Sequence, residues 1–254
     1  MTGTVYLVGA GPGAPDLLTL RAANLLARAE IVFHDALVHP GTVALAAHAQ
    51  TVAVGKRCGR HSTAQRFINK RLIDAAAKYA VVVRLKGGDP MLFGRAQEEI
   101  DALEAARVRY EVVPGVTAAL AAAATLRTSL TQRGSVRAFA FATPRVGAGQ
   151  DASAWVGAIR HADAGAIYMG RSEAGAIAAS LIAAGLAAST PVAMVVDASL
   201  PTAETHYTTL DQLPKFAERQ IHGAALLLIG PQFHARCAGA GAAPLDNPVF
   251  ATRA

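Results

Sequence analysis

The chain has 254 residues, 52% of them hydrophobic and 17% charged, with a net charge of +6 and a pI near 9.7. That length carries a full core in one large or two small domains, and the composition excludes a disordered or fibrous chain. No apolar run reaches the ~18 residues that span a bilayer, the start MTGTVYLVGAG lacks the basic segment of a signal peptide, and two distant cysteines, Cys58 and Cys237, give neither a disulfide framework nor a zinc site. A cytoplasmic chain with no membrane contact is expected. The basic residues are scattered with little aromatic interleaving, which favours a small polyanion over nucleic acid as the acidic partner.

In chain order, residues 4–9 (TVYLVG) predict a first strand, ended by the glycine-rich run GAGPGA. A helix follows from about residue 16, with Leu18, Ala22, Leu25, Leu26 and Ala29 at helical spacing. Residues 30–33 form a second strand closed by His34 and Asp35; a short helix at 41–47 leads to a third strand at 51–54, which meets the basic loop GKRCGRHS. After a helix at 63–77, Val81, Val82, Val83 and Leu85 read as a strand buried on both faces of a parallel sheet. Lys86, Gly87, Gly88, Asp89 and Pro90 break that strand sharply. A helix at 96–106 and a strand at 110–113 running into PGVTAALAAAAT complete a doubly wound α/β pattern.

Periodicity is lost over residues 126–134, which sets a boundary between an N-terminal α/β domain (1–125) and a C-terminal one (126–237). The second half shows strands at 138–142, 164–168, 192–196 and 224–229, an edge strand at 205–208 and a helix at 174–184. The tail from 238 to 254, rich in Ala, Gly and Pro, is expected to be disordered.

Open α/β sheets place ligands at the carboxyl ends of their strands, and glycines there let a backbone approach a ligand closely. GAGPGA satisfies the dinucleotide fingerprint G-x-G-x-x-G/A, and Asp35 follows about 20 residues on. A nicotinamide-dependent oxidoreductase is therefore one reading. Pro12 and Pro15 disrupt the turn where a pyrophosphate would sit, and the fingerprint leaves the glycine breaks after strands four and five unexplained. Asp89 lacks a partner nearby in sequence, which suits it to ribose hydroxyls or to capping a helix after Pro90. The eight histidines show no metal-ligand spacing, so no metal site is expected.

The order GAGPG, HDALV, VGKR, RLKGGDPxxFGR and VPGVTAA after five successive strands resembles the tetrapyrrole (cobalamin-pathway) methyltransferase family, and within it the uroporphyrinogen III C-methyltransferases. The resemblance runs from about residue 5 to 229 and is densest over 5–119. It implies two α/β domains with a ligand cleft between them, a homodimer, and S-adenosylmethionine as cofactor with S-adenosylhomocysteine as product. The activity implied is C-methylation of uroporphyrinogen III at carbons 2 and 7 to precorrin-2, in sirohaem or cobalamin biosynthesis. Carried over residue by residue, the cofactor contacts are Pro12, Gly87, Gly88, Asp89, Leu92, Thr117, Ala118 and Met169, mostly through backbone groups, with Ala198 where a glycine is usual. Asp35 matches the proton acceptor and Lys56 the proton donor. A substrate with eight carboxylates suits arginine, which pairs carboxylates bidentately, so Arg57, Arg60, His61, Arg66 and Arg95 are candidate clamps.

Several positions depart from the family pattern. Ala14 replaces an aspartate, Ala96 and Gln97 replace glycines, Gln132 replaces a histidine, and Thr143, Pro144 and Arg145 replace TGH. Several lie on the expected substrate side, so a methyltransferase acting on a later precorrin and a non-catalytic tetrapyrrole-binding or regulatory protein stand as alternatives.

Overall fold

The computed structural model describes residues 3–55, 65–145, 154–217 and 223–238. Two compact units divide the chain, Met1–Ala118 and Ala119–Ala254.

The first unit runs β1 (Thr4–Gly9), α1 (Leu20–Ala27), β2 (Ile31–His34), α2 (Pro40–Ala44), β3 (Gln50–Ala53), α3 (Gln65–Ala76), β4 (Val81–Lys86), α4 (Ala96–Ala105) and β5 (Arg109–Val113). Helix α5 (Ala118–Leu126) begins at its last residue. All five strands are parallel, in the order β3-β2-β4-β1-β5. Because side chains alternate across a strand, Val82 of β4 joins Val5, Leu7, Ile31 and Phe33 under α3 and α4, with Ile68, Leu72, Ile100 and Leu103 facing them. Val83 and Leu85 join Val8 and Val32 on the opposite face, under Leu25 and Leu26 of α1. The unbroken apolar run at the start of β4 is the mark of a central strand covered on both sides.

Two local expectations are corrected. Helix α1 starts at Leu20 rather than near residue 16, because Pro15, Asp16 and Leu17 close a 3-10 turn and Thr19 caps the helix proper, accepting from the Ala22 N–H at 3.2 Å. No helix follows Pro90 directly. Residues 91–95 turn irregularly, with Phe93 and Arg95 in the left-handed region (φ 53° and 56°), and α4 begins at Ala96.

The second unit holds β6 (Phe139–Ala142), α6 (Trp155–His161), β7 (Ala164–Tyr168), α7 (Ala174–Ala183), β8 (Pro191–Val196), β9 (Glu204–Thr209), α8 (Pro214–Ala217), β10 (Ala225–Ile229) and α9 (His234–Ala238). Its sheet, β6-β7-β10-β8-β9, is parallel only between β6 and β7; β10 and β9 run antiparallel to their neighbours. β9 lies at the edge, as its polar ETHYTT sequence leads one to expect, and β8 is buried throughout. The tail expected to be disordered lies, beyond Ala238, outside the described residues.

The loops leaving β1, β4 and β5 interlock through glycine. Gly11 and Gly88 exchange backbone hydrogen bonds, Gly11 N–H to Gly88 O at 3.2 Å and Gly88 N–H to Gly11 O at 2.7 Å. A Cβ on Gly115 would stand 2.4 Å from Gly88 O and 2.8 Å from the Gly9 Cα. Gly115→Ala is therefore expected to cost about 2 kcal/mol by overpacking, read as a fall in Tm of roughly 4–8 °C. Gly87→Ala, whose Cβ would meet nothing nearer than the Leu37 Cβ at 3.5 Å, is expected to leave Tm within about 2 °C of the parent. Thermal melting of the two variants side by side checks both.

Candidate functional site

Two cations sit in the carboxyl half of the central strand. Arg84 and Lys86 follow Val82 on the α3/α4 face of β4, both at least 97% buried. Water cannot solvate them there, so the fold must supply counter-charge. It does so from α4: Glu99, fully buried, takes the Arg84 Nε–H on Oε1 at 3.0 Å and the Lys86 ammonium on Oε2 at 3.0 Å. The Gln65 amide at the start of α3 donates to the same Oε1 at 3.0 Å. Burial pushes the Lys86 ammonium below its ordinary pKa, with the neighbouring Arg84 charge adding to the effect. Burial also opposes the Arg84 charge, but Asp35 and Glu99 outweigh it and hold the guanidinium above its usual range.

The cluster reaches the surface at one place. Asp35 follows β2 on the face of Phe33, whose register partner is Arg84, and its Oδ1 accepts from Arg84 Nη2 at 2.6 Å. The Asp35 side chain is 30% exposed, against 3% for Arg84. Gly55, at the exit of β3, lets that backbone run against the Asp35 backbone, since a Cβ there would lie 2.7 Å from Ala36 N and 2.9 Å from the Asp35 Cα.

Asp89, expected to lack a local partner, has two. Its Oδ1 accepts from the Met91 N–H at 2.8 Å, and its Oδ2 accepts from the Gly115 N–H at 2.9 Å, tying the β4 loop to the β5 loop. Gly88 needs its glycine for conformation (φ 68°), whereas a Cβ on Gly87 would meet only the Leu37 Cβ, in ordinary contact at 3.5 Å. Pro12, Gly87, Gly88 and Leu92 are half-buried along this carboxyl edge, and Thr117 and Ala118 lie where the β5 loop enters α5. Exposed Met91 and Phe93 after β4, and Leu37 in the loop after β2, add apolar surface.

Arg95 is not a free clamp. Its guanidinium grips Glu98 with two bonds, 2.7 Å and 2.8 Å, and Glu98 holds it above its ordinary pKa. Arg66 is exposed at the start of α3. Lys56, Arg57, Arg60 and His61 lie outside the described residues. Of the departures, Ala96 packs in the core, Gln97 donates to Asp101 along α4, and Gln132 pairs with Val136 through backbone bonds.

In the second unit, Met169 follows β7 with φ 56° and is 39% exposed. The Tyr168 hydroxyl before it accepts the Ala119 N–H at 3.2 Å. Ala198, after β8, is buried between Asp197 and Ser199, both left-handed at φ 48° and 76°.

The sequence reading missed Arg84, Lys86 and Glu99. The signal was present: two cations at alternate positions in an otherwise apolar strand require a buried acid, and FGRAQEE supplies it.

The strand order also bears on the dinucleotide fingerprint. In a nicotinamide-binding sheet the first two strands are neighbours, so the acidic residue after the second faces the glycine loop after the first. Here β4 lies between β1 and β2, and Asp35 is bound to Arg84 of β4 instead. Among the described residues no group of His, Cys, Asp or Glu is arranged to hold a metal ion, and no helix is long and apolar enough to cross a membrane.

Comparison with known proteins accords with this arrangement. A crystal structure of a uroporphyrin-III C-methyl transferase from Thermus thermophilus complexed with S-adenosyl homocysteine is 36% identical, covering 92% of this chain and 100% of that one at a TM-score of 0.80. A cobalt precorrin-4 methyltransferase is 27% identical over 89% of this chain and 94% of that one, at a TM-score of 0.77. A siroheme synthase from Psychrobacter sp. (strain PRwf-1) is 48% identical over 149 residues, 58% of this chain and 31% of the relative; the chain thus aligns with about a third of the length of such relatives. The family model described as Tetrapyrrole (Corrin/Porphyrin) Methylases matches residues 4–214. With a parallel first sheet whose glycine loops converge at one edge and a match over most of its length, the chain belongs to the tetrapyrrole methylases.

Proposed function

We propose that this chain transfers methyl groups from S-adenosylmethionine to carbons 2 and 7 of uroporphyrinogen III, giving precorrin-2. The observation that carries the reading is Asp35: a partly exposed carboxylate, anchored on a buried arginine, at the glycine-lined carboxyl edge of a tetrapyrrole-methylase sheet. The family membership, the 36% identity to a uroporphyrin-III C-methyl transferase and the 48% identity to a siroheme synthase support the choice of acceptor.

The cofactor fits what the residues offer. A Cβ on Gly87 would meet only the Leu37 Cβ, at 3.5 Å, and one on Gly88 nothing within 4 Å, so the loop after β4 leaves room for a ligand to approach its backbone. Pro12, Gly87, Gly88, Asp89, Leu92, Thr117, Ala118, Met169 and Ala198 would hold it. When bound, S-adenosylmethionine supplies an electrophilic methyl group and leaves as S-adenosylhomocysteine.

The chain's own residues do the rest. The pyrrole carbon gains a carbon–carbon bond as the sulfur–methyl bond breaks, and the positive charge left on the ring is relieved when the pyrrole N–H proton passes to the Asp35 carboxylate. Lys56 follows Gly55, which packs on the Asp35 backbone, and serves as proton donor in this reading. Leu37, Met91 and Phe93 offer apolar surface to the macrocycle, while Arg57, Arg60 and His61 pair with its carboxylates. Arg95 contributes only by exchanging Glu98 for a substrate carboxylate.

Calorimetric titration is expected to show binding of S-adenosylhomocysteine and none of NAD or NADP; the reverse would overturn the cofactor assignment. Turnover of uroporphyrinogen III to a dimethylated product is expected in the same preparation, and turnover of a later precorrin alone would move the acceptor. Asp35→Asn is expected to lower kcat on uroporphyrinogen III about 100- to 10,000-fold with S-adenosylhomocysteine affinity unchanged. Gly87→Ala is expected to weaken that affinity at least about tenfold while leaving the melting temperature in place.

A further inference from the structure

We propose that Arg84 is a positioning residue for methyl transfer: locked in place by Glu99, it fixes the Asp35 carboxylate so that one oxygen is spent on the protein and the other is presented to the pyrrole N–H. The inference rests on the reading of Asp35 as the proton acceptor.

The geometry leaves the guanidinium no freedom. Nε donates to Glu99 Oε1 at 3.0 Å, Nη1 to the Leu85 carbonyl at 3.2 Å, and Nη2 to Asp35 Oδ1 at 2.6 Å. All three nitrogens are engaged, and the side chain is anchored on the central strand of the sheet. Glu99 is held as firmly, from Gln65 on α3, Arg84 and Lys86. The rigidity of the cluster therefore passes to Asp35 through one bond. Among the described residues the other Asp35 oxygen, Oδ2, accepts no hydrogen bond.

Stability alone is a poor reason for this arrangement. Buried ion clusters are frequently no more stable than apolar residues of the same volume, and Val82 shows that β4 packs apolar side chains on this face. Of the four charged members only Asp35 reaches solvent, and it does so at the edge where the cofactor loops lie. A cluster built for packing alone has no need to end in an exposed carboxylate held at 2.6 Å. Correct placement of a proton acceptor is worth much in rate, since a displacement of about 1 Å costs on the order of 100-fold.

The test is a kinetic double-mutant cycle with uroporphyrinogen III, using Asp35→Asn, Arg84→Gln and the double variant, with Arg84→Lys alongside. Arg84→Gln is expected to lower kcat about 10- to 100-fold, with KM and S-adenosylhomocysteine affinity changed by less than about twofold. Arg84→Lys keeps the charge but has one nitrogen for two carboxylates, so its kcat is expected to stay at least about fivefold below the parent. In the Asp35→Asn background, Arg84→Gln is expected to cost less than about twofold more, because Arg84 acts through Asp35. Should Arg84→Gln fail to fold by thermal melting, Arg84→Lys carries the same cycle. Unchanged kcat in the Arg84 variants, or full additivity in the cycle, overturns the positioning role while leaving Asp35 as acceptor. Unchanged turnover in Asp35→Asn overturns the acceptor reading, and the positioning role falls with it.

Discussion

The parallel sheet of the first unit is built around a buried electrostatic obligation. β4 is its central strand, and its carboxyl half carries Arg84 and Lys86 into the core. Glu99 must stand opposite them, which fixes the rotation of α4 against the sheet, and Gln65 must reach Glu99, which fixes the start of α3. Removing Glu99 would leave two buried cations without their shared acid, at a cost of about 3–5 kcal/mol. The two helices over this face are thus oriented by polar contacts as well as by Leu72, Ile100 and Leu103. The single surface outlet of the cluster is the carboxylate on which the proposed chemistry turns.

The second constraint is steric. The glycines in the loops after β1, β4 and β5 divide into two kinds, which the sequence alone does not separate. Gly9 and Gly115 are small because backbones press on them from neighbouring loops, and Gly88 because its φ is left-handed. Gly87 is under neither constraint, since a Cβ there would meet only the Leu37 Cβ, at 3.5 Å. Only the last kind speaks directly for a ligand; the others build the platform from which it acts. Asp89 belongs to that platform too, since its carboxylate binds two backbone N–H groups and so sets the spacing between loops.

Strand positions were readable in the sequence because both halves alternate apolar strands with helices, and β1 and β7 coincide with their expected ranges. The start of α1 was not, because Pro15 suits the first turn of a helix and equally a 3-10 turn. The antiparallel pairing of β10 with β7 and β8 was also hidden, since a five-residue apolar run reads alike in either direction. Asp35 was visible from its place after β2, but its partner Arg84 lies 49 residues away, and only the register of two adjacent strands brings them together. Arg95, a candidate clamp by sequence context, has a carboxylate three residues on, a pairing that spacing alone does not reveal.

The strand order has a bearing on how the chain comes to be folded. β1 is synthesised before the other strands of its sheet, yet its partners are β4 and β5, with Thr4 registering on Val81 and on Arg109. β2 finds β3 within a short stretch, whereas β1, an apolar segment, waits until residue 113 has left the ribosome before both its edges are covered. Long-range parallel pairing of this kind is slow and leaves unpaired edges open to other chains. The assembly of the first sheet therefore closes on its earliest strand, and during synthesis β1 is an apolar edge in need of protection from aggregation.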